Sequence, residues 1–318
     1  MKAHLKVTAC VALWAANGPH LGPYSQKGKA TAAEVWLSVD EYSGPGNCTL
    51  HIGDARKTIK GVTAGPWVPA WRGFAVMRSN GLYALTTKGE FVGPKGVVVP
   101  EQARRSGQWS VSPDGALLAE FDDTDDARPV FAVHEVASGR SLVKLERQGL
   151  ERAIGMRAWA QIACEGVAWS LSGDRVAFGH GFGGEVDNGG VSETRIAVWN
   201  RRTRRLTQWA PKAPANSLGG PVVWLSEDRL LVHGGLGHRI VRASGPGRLY
   251  EDTAMMTWDG KHIIVLRAIP GPDRWNDRIR LERWTPDLRR RISARILPRV
   301  GWADVNRGVF FAVRDAGR

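Results

Sequence analysis

Short runs of apolar residues recur along the whole chain and are separated by residues that form turns. Each run holds roughly five to eight Val, Ile, Leu, Phe or Trp residues, and Gly, Pro, Asp and Ser lie between the runs, which is the pattern of β-strands joined by tight turns. No stretch of about a dozen residues places apolar side chains at the three-and-four spacing of an amphipathic helix. The pattern therefore predicts an all-β fold.

The runs also resemble one another, which indicates internal repeats. Five segments share one form, in which a strand containing tryptophan precedes a polar turn and a second strand. Their tryptophans are Trp109, Trp169, Trp224, Trp258 and Trp302, and the spacing scatters around the roughly 40–50 residues of a four-stranded propeller blade. Third and fourth strands are predicted at 130–136 and 142–145, 196–200 and 206–209, 239–243 and 248–250, and 279–284 and 291–296. A weaker unit precedes them, with strands at 67–71, 73–78, 82–86 and 90–92.

Two stretches of the sequence resemble known repeat families. The segment 166–181, followed by a third strand that ends in Trp199-Asn200 and by a polar turn, resembles a blade of the WD-repeat family, in which the third strand typically ends in Trp-Asp. The Ser-Pro-Asp-Gly turn at 112–115 is similar to turns of the bacterial Tol-type propellers. The resemblance covers roughly residues 65 to 318. It implies a β-propeller built from degenerate repeats and does not imply an activity.

These observations lead to one fold prediction for the whole chain of 318 residues. We expect a single β-propeller domain of six or seven four-stranded blades, with seven preferred. Because an open propeller would leave strand edges unpaired, the surplus strands of residues 1–64 are expected to complete the last blade and close the ring. Those strands are predicted at 5–14, 34–39, 48–52 and 57–60.

Glycine and tryptophan are both more frequent in this chain than in an average protein, and the predicted fold gives each a role. The chain has 38 glycines and 14 tryptophans. Glycine belongs in the turns, and large aromatic side chains in the first strands are expected to fill the wedges between neighbouring blades. Stacking of a substrate on these tryptophans is the alternative. Trp275 differs from them, because it lies in the polar segment 270–277 and is the better candidate for an exposed contact.

The N-terminus and the cysteines bear on the compartment. Residues 7–16 form an apolar stretch behind Lys2 and Lys6, which has the outline of a secretory signal, but the alternation of apolar and polar residues favours a first strand. The three cysteines have no Cys-x-x-Cys spacing and predict neither a disulfide framework nor a zinc site. We expect a cytoplasmic protein, with export as the alternative. The absence of any apolar run of about 18 residues predicts no membrane span.

Loops between the second and third strands of propeller blades gather at one end of the central channel, where function is commonly located. In this chain those loops hold clustered carboxylates and histidines, and we predict a binding site there. Its residues are Asp122, Asp123, Asp125, His180, Glu185, Asp187, His233, His238, Asp273 and Trp275. We expect no catalytic residue, no metal and no cofactor, since solvated acidic loops and unconnected histidines are the commoner interpretation.

Three alternatives stay open for these channel-mouth loops. The acidic segments could hold calcium, and the histidines could ligate a transition metal. Asp123 or Glu185 beside a histidine could support acid–base catalysis by a hydrolase or lyase. The sequence contains no Gly-x-Ser-x-Gly elbow and no phosphate-binding loop between a strand and a helix.

Positive charge is concentrated toward the end of the chain. The net charge is +13, from 44 Lys and Arg against 31 Asp and Glu, and the last third is rich in arginine. Two arginine clusters fall in turns between third and fourth strands, and such turns share one face of a propeller with the turns between first and second strands. The clustered residues are Arg201, Arg202, Arg204, Arg205, Arg289, Arg290 and Arg291. Because guanidinium forks suit carboxylate and phosphate groups, this face predicts an anionic partner.

We therefore predict a monomeric, non-catalytic scaffold for protein–protein interaction, whose arginine-rich face binds an anionic partner. Another protein is the preferred partner, with nucleic acid or another polyanion as the alternative. Acidic residues in the turns between first and second strands dilute the field of this face; they are Asp114, Asp174, Glu227, Asp228 and Asp259. The second hypothesis is a propeller hydrolase or lyase whose site lies in the channel-mouth loops.

Overall fold

The computed structural model describes most of the compact unit that begins at Glu34. The described residues are 34–39, 46–96, 108–122, 128–154, 161–183, 193–213, 223–234, 237–250, 255–269, 278–301 and 309–312. The strand predicted at 5–14 and the last of the repeated tryptophans, Trp302, lie outside them. No helix within these ranges is long and apolar enough to cross a membrane.

Within the described ranges the chain forms strands almost throughout. The strands are β1 (Val35–Val39), β2 (Gly46–Ile52), β3 (Ala55–Val68), β4 (Gly73–Arg78), β5 (Gly81–Thr86), β6 (Phe91–Gly96), β7 (Trp109–Val111), β8 (Leu117–Asp122), β9 (Val130–Glu135), β10 (Ser141–Glu146), β11 (Gln161–Trp169), β12 (Arg175–Gly183), β13 (Glu193–Asn200), β14 (Leu206–Ala213), β15 (Val223–Ser226), β16 (Arg229–Gly234), β17 (Gly237–Arg242), β18 (Gly245–Tyr250), β19 (Met255–Trp258), β20 (Ile263–Ile269), β21 (Arg278–Trp284), β22 (Arg291–Gly301) and β23 (Val309–Phe311). The helical elements are a 3-10 turn (Pro69–Trp71) and the helix α1 (Arg147–Ile154). The all-β prediction is confirmed.

The strands pair antiparallel in one large sheet and four small ones. The large sheet has the order β23-β1-β2-β3-β4-β5-β6, and the others are β10-β9-β8-β7, β11-β12-β13-β14, β15-β16-β17-β18 and β19-β20-β21-β22. The long strand β3 divides the large sheet, because it pairs with β2 up to Val62 and with β4 from Thr63 onward. We therefore name six four-stranded sheets: A (β23, β1, β2 and the start of β3), B (the end of β3 with β4, β5 and β6), C (β7–β10), D (β11–β14), E (β15–β18) and F (β19–β22).

The inner strands of these sheets are buried on both faces. In β13 the side chains of Ile196 and Val198 pack toward sheet E, whereas those of Ala197 and Trp199 pack toward sheet C. The described residues form six such hydrophobic clusters, which join A to B, B to C, C to D, D to E, E to F, and F to A. Continuous apolar runs in the sequence follow from this arrangement, because a strand covered on both sides needs no polar face.

The repeated tryptophans occupy the clusters between sheets, as predicted. Trp109, Trp169 and Trp224 are 4%, 7% and 2% exposed and belong to the clusters B–C, C–D and D–E. Trp258 is half-buried and packs against the cluster between E and F. Trp109 also fits against Gly65 of β3, where a Cβ would lie 2.8 Å from the indole ring. Burial of these rings stabilises the contact between neighbouring sheets.

Trp109 and Trp169 lie in first strands at positions that differ by two residues. In the β7–β8 turn the N–H of Ser112 donates to the carbonyl of Leu117, and in the β11–β12 turn the N–H of Ser170 donates to the carbonyl of Arg175. Ser112 and Ser170 are thus equivalent, although the tryptophans precede them by different distances. The shift escaped the sequence pattern because side chains alternate with a period of two, so a two-residue offset keeps a side chain on the same face.

Three further details differ from the predicted elements. The strand expected at 67–71 ends at Val68, because Pro69 starts a 3-10 turn that Arg72 closes with a left-handed backbone (φ 51°). Val300 and Gly301 belong to the end of β22 rather than to a new first strand. The helix α1 was not predicted, since its eight residues are too few for a helical period to stand out.

Candidate functional site

Turns between first and second strands and turns between third and fourth strands meet on one side of the sheets. Arg201, which follows β13, contacts Asp114 of the β7–β8 turn with Nη1 and Oδ2 3.0 Å apart. Arg202 contacts Asp174 of the β11–β12 turn with Nη2 and Oδ2 2.8 Å apart. We call the surface formed by these two kinds of turn the turn face. Two arginines of the first cluster thus lie beside acidic residues of the turns between first and second strands.

The turn between β13 and β14 is organised by Asn200. Its side-chain oxygen accepts hydrogen bonds from the backbone N–H groups of Arg202 and Thr203, each at 2.9 Å. Arg204 then adopts a left-handed backbone with φ 55°, a conformation that costs a non-glycine residue roughly 1 kcal/mol. Asparagine thus performs at this position the acceptor role that an aspartate would perform, and the turn holds its arginines in a defined geometry.

The arginines of the turn face divide into paired and exposed groups. The side chains of Arg204, Arg205 and Arg290 are exposed and have no ion pair within the described ranges. Arg289 is 87% exposed and approaches Asp287 only to 3.5 Å. Arg291 is different, because its Nη1 lies 3.4 Å from Glu282, a carboxylate that is 1% exposed. Arg204, Arg205, Arg289 and Arg290 therefore present guanidinium groups to solvent, and so does Arg202, whose side chain is 78% exposed beside Asp174.

Acidic residues of the turn face are held in their charged form. Burial raises the pKa of Asp114, but the Ser112 hydroxyl, the N–H of Ala116 and the Arg201 guanidinium outweigh it and keep the pKa below its ordinary value. The hydroxyl of Ser226 lowers the pKa of Asp228 in the same way. The turn face thus carries fixed negative charges among its arginines.

A cavity of about 230 Å³ opens between the first strands of all six sheets. Its lining comes from β3, β7, β11, β15, β19 and β23 and is dominated by the aromatic residues Trp67, Trp109, Trp169, Trp224, Trp258 and Phe310. None of the described lining residues is charged. The lining also includes Pro69, Pro113 and Leu171, which belong to turns of the turn face, so the cavity has an apolar mouth on that side. Leu171 is 50% exposed there.

Two of the cavity tryptophans tie neighbouring first strands together. The indole N–H of Trp169 in β11 donates to the carbonyl of Ser110 in β7, and that of Trp224 in β15 donates to the carbonyl of Ala168 in β11, both at 2.9 Å. The polar edge of each ring is therefore occupied by the scaffold. This supports the predicted packing role of these residues over a substrate-stacking role.

The predicted channel-mouth residues are described only in part. Asp122 is the half-buried last residue of β8, while His180 and His233 lie within β12 and β16 rather than in loops. His238 pairs with His233 across the β16–β17 hairpin and is 1% exposed. The other six predicted residues lie outside the described ranges; they are Asp123, Asp125, Glu185, Asp187, Asp273 and Trp275. The described ranges hold no cluster of three or more His, Cys, Asp or Glu with a geometry for a metal ion.

Sequence reasoning missed two hydrogen-bonded groups that centre on buried histidines. In sheet C, His134 lies 3.0 Å from both Glu120 and Ser141. In sheet A, His51 lies 3.0 Å from Ser38. The available signal was a single polar residue within an apolar strand, because such a residue is buried and must find a partner.

Comparison with solved structures supports the fold. No protein-family model and no curated protein matches the sequence. TolB from Acinetobacter baumannii superimposes with a TM-score of 0.51 at 13% identity, over 88% of this chain and 66% of that chain. A protein assigned as TolB from Agrobacterium tumefaciens gives 0.47 at 14% identity, over 84% and 88% of the two chains. The β-propeller domain of the Trilobed protease from Pyrococcus furiosus gives 0.43 at 11% identity, over 79% and 90%. The superposition on TolB from Acinetobacter baumannii confirms the resemblance to this type of propeller at the level of the fold.

Proposed function

We propose that sheets A to F are the blades of a six-bladed propeller formed as one domain. Two observations support six blades over the seven preferred from the sequence. The first strand of each of the six sheets lines the same cavity, and a hydrophobic cluster joins each sheet to the next, including F to A. In this proposal strands β1, β2 and β3 near the N-terminus close the ring, as expected, and β23 near the C-terminus pairs with β1 to complete their blade.

We propose further that the protein is an interaction scaffold that binds an acidic segment of another protein on the turn face. The observation that carries this proposal is the apolar cavity mouth beside exposed arginines. Leu171 and Pro113 lie in the turns of β11–β12 and β7–β8, and Asp114 and Asp174 of the same turns anchor the arginine-rich turn of sheet D. An apolar centre with a charged, solvent-exposed rim is the usual anatomy of a protein–protein interface.

The distribution of charge favours a protein over nucleic acid. Ionised carboxylates at Asp114, Asp228 and Asp287 lie among the arginines, and a nucleic acid backbone would place phosphates against them. A folded or extended protein segment can place its own acids opposite Arg204 and Arg205 and avoid the carboxylates. Because such rim pairs are worth less than about 1 kcal/mol each, the arginines contribute mainly to association rate and to the choice of partner.

A charge-reversal pair tests this proposal. The turn-face variant is Arg204→Glu with Arg205→Glu, and the matched control is Lys144→Glu with Arg152→Glu, which changes the net charge equally at exposed positions of β10 and α1. Each immobilised protein selects from a displayed library of random peptides and, separately, from duplex DNA. We expect wild type and control to enrich peptides that combine acidic and apolar residues, and the turn-face variant to lose them.

Two outcomes would contradict the proposal. Enrichment of the same acidic peptides by the turn-face variant would show that the arginines do not contact the partner. Preferential retention of duplex DNA, lost in the turn-face variant and strongly salt-dependent, would assign the arginines to a nucleic acid instead.

A further inference from the structure

Sheet C contains a serine, a histidine and a carboxylate linked in series across three adjacent strands. Ser141 Oγ of β10 lies 3.0 Å from His134 Nδ1 of β9. His134 Nε2 lies 3.0 Å from Glu120 Oε1 of β8. Ser141 directly follows the β9–β10 turn, which belongs to the turn face, but none of the three residues lines the central cavity and neither proposal above uses them.

The strand register explains why these three side chains meet. Ser141 is the cross-strand partner of His134, and His134 is the cross-strand partner of Leu118. Glu120 lies two residues farther along β8, so it reaches His134 diagonally on the same face of the sheet. Leu118 packs in the cluster between sheets B and C, and the three polar groups therefore lie on the face that sheet C turns toward sheet B.

Hydrogen-bonding rules assign the protons in this series. With Glu120 as a carboxylate, which can only accept, His134 Nε2 must donate. In the neutral imidazole the other ring nitrogen, Nδ1, is then an acceptor, and the Ser141 hydroxyl donates to it. A hydroxyl that donates to an imidazole oriented by a carboxylate is the arrangement of an activated nucleophile with its base.

Burial increases along the series from the serine to the glutamate. Ser141 is exposed, whereas His134 is 7% and Glu120 is 6% exposed. Glu120 Oε2 has no hydrogen-bond partner within the described part of the chain, so the carboxylate is directed at the histidine alone. Low local polarity strengthens the hydrogen bond between His134 and Glu120. Ser141 Oγ, the oxygen that would react, belongs to an exposed residue.

A β-bulge lies next to Ser141 on the strand that carries it. The register shifts between Ser141 and Val143, so Leu142 is an extra residue in β10. A bulge leaves its extra residue outside the ladder of backbone hydrogen bonds. A backbone N–H adjacent to the nucleophile is the type of donor that stabilises a developing oxyanion.

We propose that Ser141 is a nucleophile for acyl transfer from carboxylic esters, with His134 as its base and Glu120 as the residue that orients the base. The Ser141 oxygen forms a bond to the acyl carbon, the ester C–O bond breaks, and the hydroxyl proton passes through His134 Nδ1 to the leaving alcohol. Water then attacks the acyl-serine by the same route, which yields the carboxylic acid and restores the hydroxyl.

A fluorophosphonate probe tests the proposal on the full-length chain. Attack by Ser141 forms an O–P bond, breaks the P–F bond and releases fluoride, and the adduct is located by mass spectrometry of peptides. Ser138 is the matched control, since it is an exposed serine in the adjacent turn whose hydroxyl donates to Glu135 at 2.7 Å. We expect one adduct, on Ser141, which is retained in Ser138→Ala and absent in Ser141→Ala.

The two supporting residues are tested by rates. His134→Gln removes the base and is expected to slow labelling about 100-fold, and Glu120→Gln is expected to slow it too, because an amide no longer fixes the proton on Nε2. The labelling rate of wild type is expected to rise with pH through one titration that is missing in His134→Gln, a dependence that a purely structural histidine would not produce. Hydrolysis of p-nitrophenyl acetate by wild type, and not by Ser141→Ala, measures the complete acyl cycle.

Several results would overturn the proposal. Adducts spread equally over Ser138 and Ser141 would show that Ser141 has ordinary reactivity. Labelling of Ser141 at an unchanged rate and pH dependence in His134→Gln would remove the base from the mechanism. The comparison of Ser138 with Ser141 is made on wild type, so it is decisive even if His134→Gln proves unstable, and circular dichroism melting identifies that case.

Discussion

Sheets A and C each bury a histidine in the third strand, and the two histidines have opposite surroundings. His51 in β2 and His134 in β9 are 2% and 7% exposed. Each has a hydrogen-bond partner at 3.0 Å on the second strand of its sheet, but that partner is the hydroxyl of Ser38 for His51 and the carboxylate of Glu120 for His134. The second strand thus offers a neutral group in one sheet and an acid in the other.

The fourth strand completes the contrast. Arg56 is the cross-strand partner of His51, and Ser141 is that of His134. Burial, assisted by the charge of Arg56, lowers the pKa of His51 from 6.5 to about 3. The histidine of sheet A is therefore locked in its neutral form, whereas that of sheet C links a carboxylate to an exposed hydroxyl. Cross-strand neighbours, more than residue type, decide what a buried histidine can do.

The surroundings of His51 depend most on Trp36. The indole ring stacks on the imidazole with centroids 3.5 Å apart and also stacks on Phe311 of β23 at 5.8 Å. Trp36→Ala is expected to lower the free energy of unfolding by about 3–5 kcal/mol, because it opens a cavity between sheets F and A. Urea denaturation monitored by circular dichroism measures the loss. A loss below about 1 kcal/mol would show that this contact between sheets is dispensable.

The low pKa of His51 predicts an acid-dependent loss of stability. The unfolded chain takes up a proton on this residue below pH 6.5, while the folded chain does so only near pH 3. The stabilisation is therefore complete above pH 6.5 and falls as the pH is lowered toward 3. Between pH 6.5 and 4.5 the free energy of unfolding is expected to fall by about 2 kcal/mol through His51 alone. Urea titrations across this range should give a smaller decline for His51→Gln, and Ser141→Ala should decline like wild type.

Glu120 of sheet C is expected to contribute less to the free energy of unfolding than Trp36 of sheet A. Glu120→Ala leaves the buried N–H of His134 without its acceptor, and the expected cost is about 2 kcal/mol in the free energy of unfolding. Glu120→Gln keeps an acceptor oxygen at the same position and is expected to cost about half as much. Equal losses in the two variants would mean that the contact with His134 does not determine the stability of this site.

The sequence was sufficient to predict much of the fold. Apolar runs bounded by turn residues predicted strands such as β13 and β21, and large aromatics in first strands predicted the packing between sheets. These features are local or depend only on side-chain period, so one chain read alone reveals them. Pairings between strands that lie far apart in the chain were harder to predict from the sequence. The pairing of β23 with β1, for example, joins segments far apart in the chain.

The candidate sites also depend on contacts between distant parts of the chain, which the sequence alone does not reveal. The placement of Arg201 and Asp114 on one face was predicted because two kinds of turn share that face, but the contact between them was not. The series from Glu120 to Ser141 was not predicted, because it requires the register of three strands, and a shift of one residue would turn His134 to the other face. In the sequence Glu120 and His134 look like polar interruptions of apolar strands, and Ser141 looks like a residue at the end of a turn.

The smallest expected effects distinguish the two serines. Ser38 is fully buried, and Ser38→Ala leaves a buried nitrogen of His51 without its partner, at an expected cost of about 1 kcal/mol in the free energy of unfolding. Ser141 is exposed, so water replaces its hydroxyl, and Ser141→Ala is expected to change stability by less than about 0.5 kcal/mol. Urea denaturation of both variants in one buffer measures the difference. If Ser141→Ala proved the more damaging substitution, the serine of sheet C would be a structural support, because a residue kept for its reactivity is dispensable for folding. The opposite order is what a reactive hydroxyl on a rigid sheet requires, since the scaffold holds His134 in place whether or not the serine is there.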